Sequence, residues 1–383
     1  MKAVALIDGE HYPPVVRDAL AALPYEWTGA ILVGGTEKLR GSAGDWIAEY
    51  GVPLVEGFDG AEIVVDLSDE PILGPVERFR WASRALAAGL PYVGSDFRFD
   101  PPAYEAFPLP SLAVIGTGKR VGKTAVSAHV ARLLARDRSV VAVAMGRGGP
   151  AEPEVIDRPP TIADLVELSR AGRHAASDHI ELAALTGITT IGCRRAGGGL
   201  AGAVFTSNVS EGARLAAGLG PDVVVFDGSG AAIPPIETTA RILVVGAGHD
   251  HSAYLNHYRR LVSSLVVSVG WDVEGAVRVD LRLAATEPLT GRVAVFTAGG
   301  ADVSQLDAEV VHVSRYLANR TRLSEELAGL TADTYLIELK AAAIDVVAEH
   351  ALAHGKRVVL ATNEVVGLPD RAVLDLLSAK VAA

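Results

Sequence analysis

The chain has 383 residues, 35 Lys and Arg against 46 Asp and Glu, and a formal net charge of −11. That length predicts two or three domains, the acid excess argues against general nucleic-acid or anionic-membrane binding, and no apolar run approaches the roughly 20 residues that span a bilayer. The one cysteine, Cys193, excludes an internal disulfide and a cysteine-rich zinc site and fits a reducing cytoplasm.

In chain order, the opening MKAVALI is too short for a secretory segment and runs into Asp8 and Glu10, so a strand is expected over Ala3–Ile7. DGEHYPP then sets Asp8, Glu10 and His11 at the end of that strand, as a ligand-facing loop or a capped turn. Further strands are expected over 30–33 and 63–66. Four prolines in DPPAYEAFPLP (100–110) allow neither helix nor central strand, and mark a linker after an N-terminal α/β domain of residues 1–105.

SLAVIGTGKRVGKTAVSAHVARLLA reads as strand, glycine-rich turn and amphipathic helix, the context in which a phosphate loop becomes a physical site. Main-chain amides over Gly116, Thr117, Gly118, Lys119, Arg120, Val121 and Gly122, continuing to Ala125, curl round phosphate oxygens. Lys123 reaches the terminal phosphates, and Thr124 is placed to ligate Mg²⁺. The loop is a variant, because the first glycine of GxxxxGK[ST] would fall at Thr117; its spelling is similar to that of dethiobiotin synthetase and related ATP-dependent ligases. Arg120 stands where that group usually has glycine.

Strands are next expected over 140–144, 223–226, 242–245, 265–269, 293–296, 335–339 and 358–361. Alternation with helical stretches makes this α/β, with a mainly parallel sheet in a P-loop domain over 111–288 and an α/β extension over 289–383, separate or continuous with it. MGRGGPAEPEVIDRPP carries Arg147 and a stretch long enough for a lid, and CRRAGGGLAG carries Arg194 and Arg195 beside glycines. Guanidinium forks bind phosphates bidentately, so both loops are candidates for a second polyanion, with solvated turns as the bland alternative. DVVVFDGSG ends a strand at Asp227, either a Mg²⁺-side carboxylate or a turn-forming Asp. His249 and His251 in GHDHS are a weak metal pair with no third ligand nearby.

Together LIDGEHYPP, GTGKRVGKT, MGRGGP, GCRRAGGGLAGAVFTSNVSEGA, DGSGAAIPP and ELKAAAIDVV make the chain similar to the cyclic 2,3-diphosphoglycerate synthetase family over nearly its whole length. The resemblance implies a smaller Rossmann-like domain before the P-loop domain and ATP- and Mg²⁺-dependent closure of an intramolecular phosphoanhydride in 2,3-diphosphoglycerate. On the residues' own chemistry and strand-end positions, Lys123, Asp227, Arg147, Arg194 and Arg195 are the expected catalytic groups, and those arginines, Asp8, Glu10, His11 and Lys340 the expected substrate contacts. A cytoplasmic homodimer without nucleic-acid or membrane partners is expected. An ATP-dependent ligase or kinase for another anionic small molecule, and a nucleotide-switched regulator, are the alternatives.

Overall fold

The computed structural model describes residues 1–248, 250, 253–297, 302–340 and 342–378. Two compact units emerge, one comprising Met1–Ala103, Leu200–Gly202 and Asp250–Val262, the other the rest of the described chain. His249 and His251 lie outside the described residues.

The smaller unit is a five-stranded sheet in the order Glu26–Leu32, Lys2–Ile7, Ile63–Asp66, Tyr92–Val93, Arg98–Phe99, parallel except for the last pair. Helix Pro13–Ala22 starts at two prolines, whose fixed φ suits a first turn that needs no amide donors. Helix Ala43–Tyr50 is held by a Ser42/Asp45 capping box and closed by Gly51 in the left-handed region, φ 73°. Ala5, Ile7, Val16, Leu20, Ala30 and Tyr50 form its core.

In the larger unit the described residues form one thirteen-stranded sheet. Its first half runs Thr190–Ala196, Val140–Gly146, Val223–Asp227, Ser111–Gly116, Ala240–Gly246, Leu265–Val269, Val277–Ala285, all parallel. These mostly buried strands read as continuous apolar runs, as strands covered on both faces do. Strand Val277–Ala285 pairs antiparallel with Arg357–Val366, and beyond that reversal Thr334–Glu338, Arg292–Phe296 and Glu309–Ser314 continue the sheet in parallel. The segment after residue 288 therefore shares the sheet of the phosphate-loop strand.

The expected strands all exist, and others were not foreseen. Val277–Ala285 alternates apolar and charged residues, and Tyr92–Val93, Arg98–Phe99 and Thr206–Ser207 are two-residue strands fixed by their partners. The stretch read as a lid after Arg147 contains strand Glu154–Ile156, paired antiparallel with Thr190–Ala196. Asn208 Nδ2 donates to Ala151 O at 3.1 Å, and Arg173 pairs with Glu154 at 2.6 Å, so much of that stretch is sheet edge. Among the described residues no helix is long and apolar enough to cross a membrane.

Candidate active site

Strand Ser111–Gly116 is wholly buried and delivers the glycine-rich turn to helix Lys123–Leu134. The helix is pinned by Val126, Val130, Ala131, Leu133 and Leu134, packed on Leu112, Val114, Val225, Ile242 and Val244. That packing fixes where its free N-terminal amides point. A side chain at Gly116 would stand 2.9 Å from Val121 and 3.2 Å from Gly230 O, so the turn closes only around glycine there. Gly122 is left-handed at φ 89° and meets Val269 and Leu281. Arg120 holds φ 60° despite its side chain, an exposed residue in a conformation that glycine takes at lower cost.

Lys123 is the first helical residue, and its Nζ lies 2.6 Å from Asp227 Oδ1, with the two side chains 10% and 2% exposed. Asp227 ends the strand lying between the phosphate-loop strand and Val140–Gly146, and Ser127 Oγ also donates to it. Burial pushes its carboxyl up, opposed by Lys123 and Ser127. Thr124 follows Lys123 on the helix, lining the same cavity.

Only one of the adjacent arginines faces this centre. Neighbouring residues on a strand point to opposite sides, and Arg195 is half-buried and turned toward Ser229 while Arg194 is exposed. Arg195 Nη2 donates to Ser229 O at 2.9 Å and Nη1 to Gly197 O at 2.6 Å, while its buried Nε has no partner. The alternation of the strand thus separates the two adjacent arginines. A Cβ built on Gly230, φ 59°, would stand 3.7 Å from Lys119 Cγ and 3.8 Å from an Nη2 of both Arg147 and Arg195. Three cationic side chains therefore converge on one glycine, and among the described residues none of them pairs with a carboxylate. Burial and Arg147 hold the Arg195 guanidinium below its ordinary value, with Asp178 opposing.

Gly118–Ala125, Arg147, Ser229, Gly230 and Lys340 line one cavity of about 710 Å³. Lys340 precedes a π-helical turn, Ala343–Ala348, a rare form frequent at functional sites. Its Nζ lies 3.4 Å from both Glu181 oxygens and 3.7 Å from Glu338 Oε1. Sequence reasoning missed Asp178, Glu181, His174 and Glu338, which also line the cavity. In SDHIE the first two look like ordinary first-turn acids of helix Asp178–Thr186, behind Ser177 as N-cap. The apolar residue Ile180, packed with Ile337 and Ile344, was the available signal that this helix belongs to the core beside Lys340.

Asp8, Glu10 and His11 belong to the smaller unit. Asp8 is fully buried and accepts from the amides of Glu10, His11 and Asp69 at 2.9, 3.1 and 2.7 Å, with His11 Nδ1 at 2.9 Å. Burial would raise its carboxyl, but these donors hold it below the usual range. Its oxygens are engaged by the loop.

A glycine turn between a buried parallel strand and a helix N-terminus, with lysine opening the helix and a carboxylate ending the neighbouring strand, defines a P-loop α/β protein. Family models for the cyclic 2,3-diphosphoglycerate synthetase N-terminal, P-loop and C-terminal domains match residues 2–100, 111–274 and 301–364. A cyclic 2,3-diphosphoglycerate synthetase of Rubrobacter xylanophilus is 47% identical over 99% of this chain and 98% of its own. Those of Pyrococcus horikoshii and Thermococcus gammatolerans are 39% and 40% identical, over 96% of this chain and 93% and 94% of theirs. Among solved structures, LpxK from Aquifex aeolicus in complex with ATP aligns with a TM-score of 0.45 at 13% identity, over 72% of this chain and 90% of that one, too slight a likeness to support a functional statement. The chain belongs to the cyclic 2,3-diphosphoglycerate synthetase family and is an enzyme.

Proposed function

We propose that the chain uses ATP to close the phosphoanhydride between the two phosphates of 2,3-diphosphoglycerate, releasing ADP and phosphate. The observation that carries this reading is one cavity lined by the phosphate loop, Arg147 and Gly230, with the guanidinium of Arg195 close behind Gly230. A cavity of about 710 Å³ lies within the ordinary range for small-molecule sites. The unpartnered Nε of Arg195 leaves a buried donor for a phosphate oxygen. A nucleotide-only switch needs no such second centre.

The chain's own residues account for the electrostatics. Amides of the glycine turn and Lys123 hold the β- and γ-phosphates, while Arg147 and Arg195 neutralise the substrate phosphate that accepts the γ-phosphoryl. The neighbouring substrate phosphate then attacks, expelling inorganic phosphate; no protein nucleophile is needed. Thr124 and, through water, Asp227 fit Mg²⁺, a hydroxyl and a carboxylate beside the lysine that meets the terminal phosphates. The ion would neutralise phosphate charge there. Lys340 is assigned to the substrate side of the cavity; Glu10 and His11 take no part in this reading. A cytoplasmic homodimer is the accompanying proposal, the compartment supported by the buried, lone Cys193 and the assembly to be checked by light scattering.

The deciding experiment is ³¹P NMR of the protein with ATP, Mg²⁺ and 2,3-diphosphoglycerate, beside Lys123→Ala. A cyclic phosphoanhydride formed only by wild type with both substrates is the expected result. ATP hydrolysis that ignores 2,3-diphosphoglycerate and yields no new phosphorus signal would sink the assignment.

A further inference from the structure

One wall of the cavity carries more acid than the binding of a polyanion explains. Glu181 lies on helix Asp178–Thr186, with Asp178 one turn earlier on the same helix, and both line the cavity with Glu338. Lys340 is the ammonium among them, 3.4 Å from Glu181 and 3.7 Å from Glu338. Glu181 is 12% exposed and Glu338 22%, so with Asp178 three carboxyls crowd one poorly hydrated wall, where Lys340 is the ammonium acting on Glu181. Like charges so placed keep a proton among them, and the most buried carboxyl is where it costs least. Burial pushes Glu181 up to about 7, Lys340 opposing and Asp178 and Glu338 adding to the rise.

The reaction proposed above has a use for such a proton. Ring closure expels phosphate, and a fully deprotonated phosphate is a poor leaving group. The cationic side of the cavity supplies charge but no carboxylic acid; His174 is the other titratable group there, 3.8 Å from a Cβ built on Gly148.

We propose that Glu181 is the proton donor to the departing phosphate in ring closure, with Lys340 stabilising the carboxylate left behind. An oxygen of one substrate phosphate attacks the phosphorus of the other, which bears the transferred phosphoryl group. The new P–O bond forms as the bond to the bridging oxygen breaks, and the bonding pair passes to that oxygen. The Glu181 proton follows it, so the group leaves as hydrogen phosphate, and solvent then reprotonates Glu181. This step rests on the reading of the preceding subsection.

The test is the pH dependence of kcat for cyclic product, by ³¹P NMR, in wild type, Glu181→Gln, Lys340→Met and His174→Ala. A donor works while protonated, so wild-type kcat should fall as pH rises through about 7. Glu181→Gln should lower kcat about 100-fold, the low end for loss of a general acid, without that alkaline limb and with KM for ATP within about twofold. Lys340→Met should shift the limb to higher pH, since losing the ammonium raises the carboxyl, and His174→Ala should keep it. Independently, the ¹³C carboxyl signal of labelled protein that vanishes in Glu181→Gln should titrate near neutrality. A Glu181→Gln profile like wild type, a limb lost in His174→Ala instead, or a Glu181 signal titrating in the ordinary carboxylate range would overturn the step. No cyclic product from wild type overturns the parent reading and this step together; product from wild type with an unaltered Glu181→Gln profile overturns this step alone.

Discussion

Removing Lys123 should cost stability as well as activity, by an amount that depends on pH. The ammonium stands 2.6 Å from Asp227 Oδ1, and Lys123→Ala leaves a carboxylate 2% exposed with Ser127 as its remaining side-chain donor. Breaking one side of a buried pair costs about 3–5 kcal/mol while the remaining charge persists. The carboxyl escapes part of that cost by taking a proton. Burial already raises Asp227 in the wild type and Lys123 opposes the rise, so the variant's folded-state value climbs further. An acid whose folded pKa exceeds its unfolded one loses stability as pH rises between the two, by about 1.4 kcal/mol per unit. As pH rises from about 5 to 7 the variant should therefore lose more stability than wild type, at no more than about 1.4 kcal/mol per pH unit. Urea unfolding followed by circular dichroism at both pH values measures this, and Lys123→Ala/Asp227→Asn should recover most of the loss. An equal deficit at the two pH values, or no recovery in the double variant, refutes the reasoning.

Arg195→Ala should reduce kcat/KM for 2,3-diphosphoglycerate about 10- to 100-fold, the worth of charged hydrogen bonds, whereas Arg194→Ala should stay within about twofold; steady-state kinetics separates them. Gly149→Ala would set a Cβ 2.0 Å from the backbone oxygen of Cys193, while Gly148→Ala meets only the His174 ring at 3.8 Å. Thermal melts should show a loss of about 1–3 kcal/mol for the first and little change for the second. Arg120→Gly removes a side chain from φ 60° and should raise stability by about 1 kcal/mol. A lower melting temperature for that variant would mean the guanidinium contributes more to the fold than its backbone conformation costs.

What could be read in the sequence follows what each element needs from elsewhere. The central strands were legible because burial on both faces leaves uninterrupted runs such as LAVIG and VVVFD, and the phosphate loop because its glycines answer a local backbone requirement. Val277–Ala285 was missed although VRVDLRL has a clear period of two, because charges at every second position look like surface until a partner strand is known. Arg194 and Arg195 looked equivalent as text; the alternation that separates them exists only once the strand is assigned. Glu181 was illegible for the opposite reason, since an acid in the first turn of a helix already has a sufficient local explanation.

The two walls of the cavity come from different rules of the fold. The phosphate loop, Arg147 and Ser229 sit where chain leaves the carboxyl ends of parallel strands, the expected place for a ligand in an open α/β sheet. Lys340 and Glu338 also lie at the carboxyl end of a strand, but Thr334–Glu338 and Arg357–Val366 run opposite to the phosphate-loop strand after the antiparallel pairing with Val277–Ala285. What brings them to the cavity is packing: Ile180 of the helix carrying Glu181 shares one core with Ile337, Ala343 and Ile344 around Lys340. The acidic helix and the lysine are thus fixed to each other by apolar contacts that no ligand supplies. A wall built this way can hold its proton before substrate arrives, while Lys119, Arg147 and Arg195 beside Gly230 make no ion pair with a carboxylate among the described residues, Asp178 acting on Arg195 only through its charge.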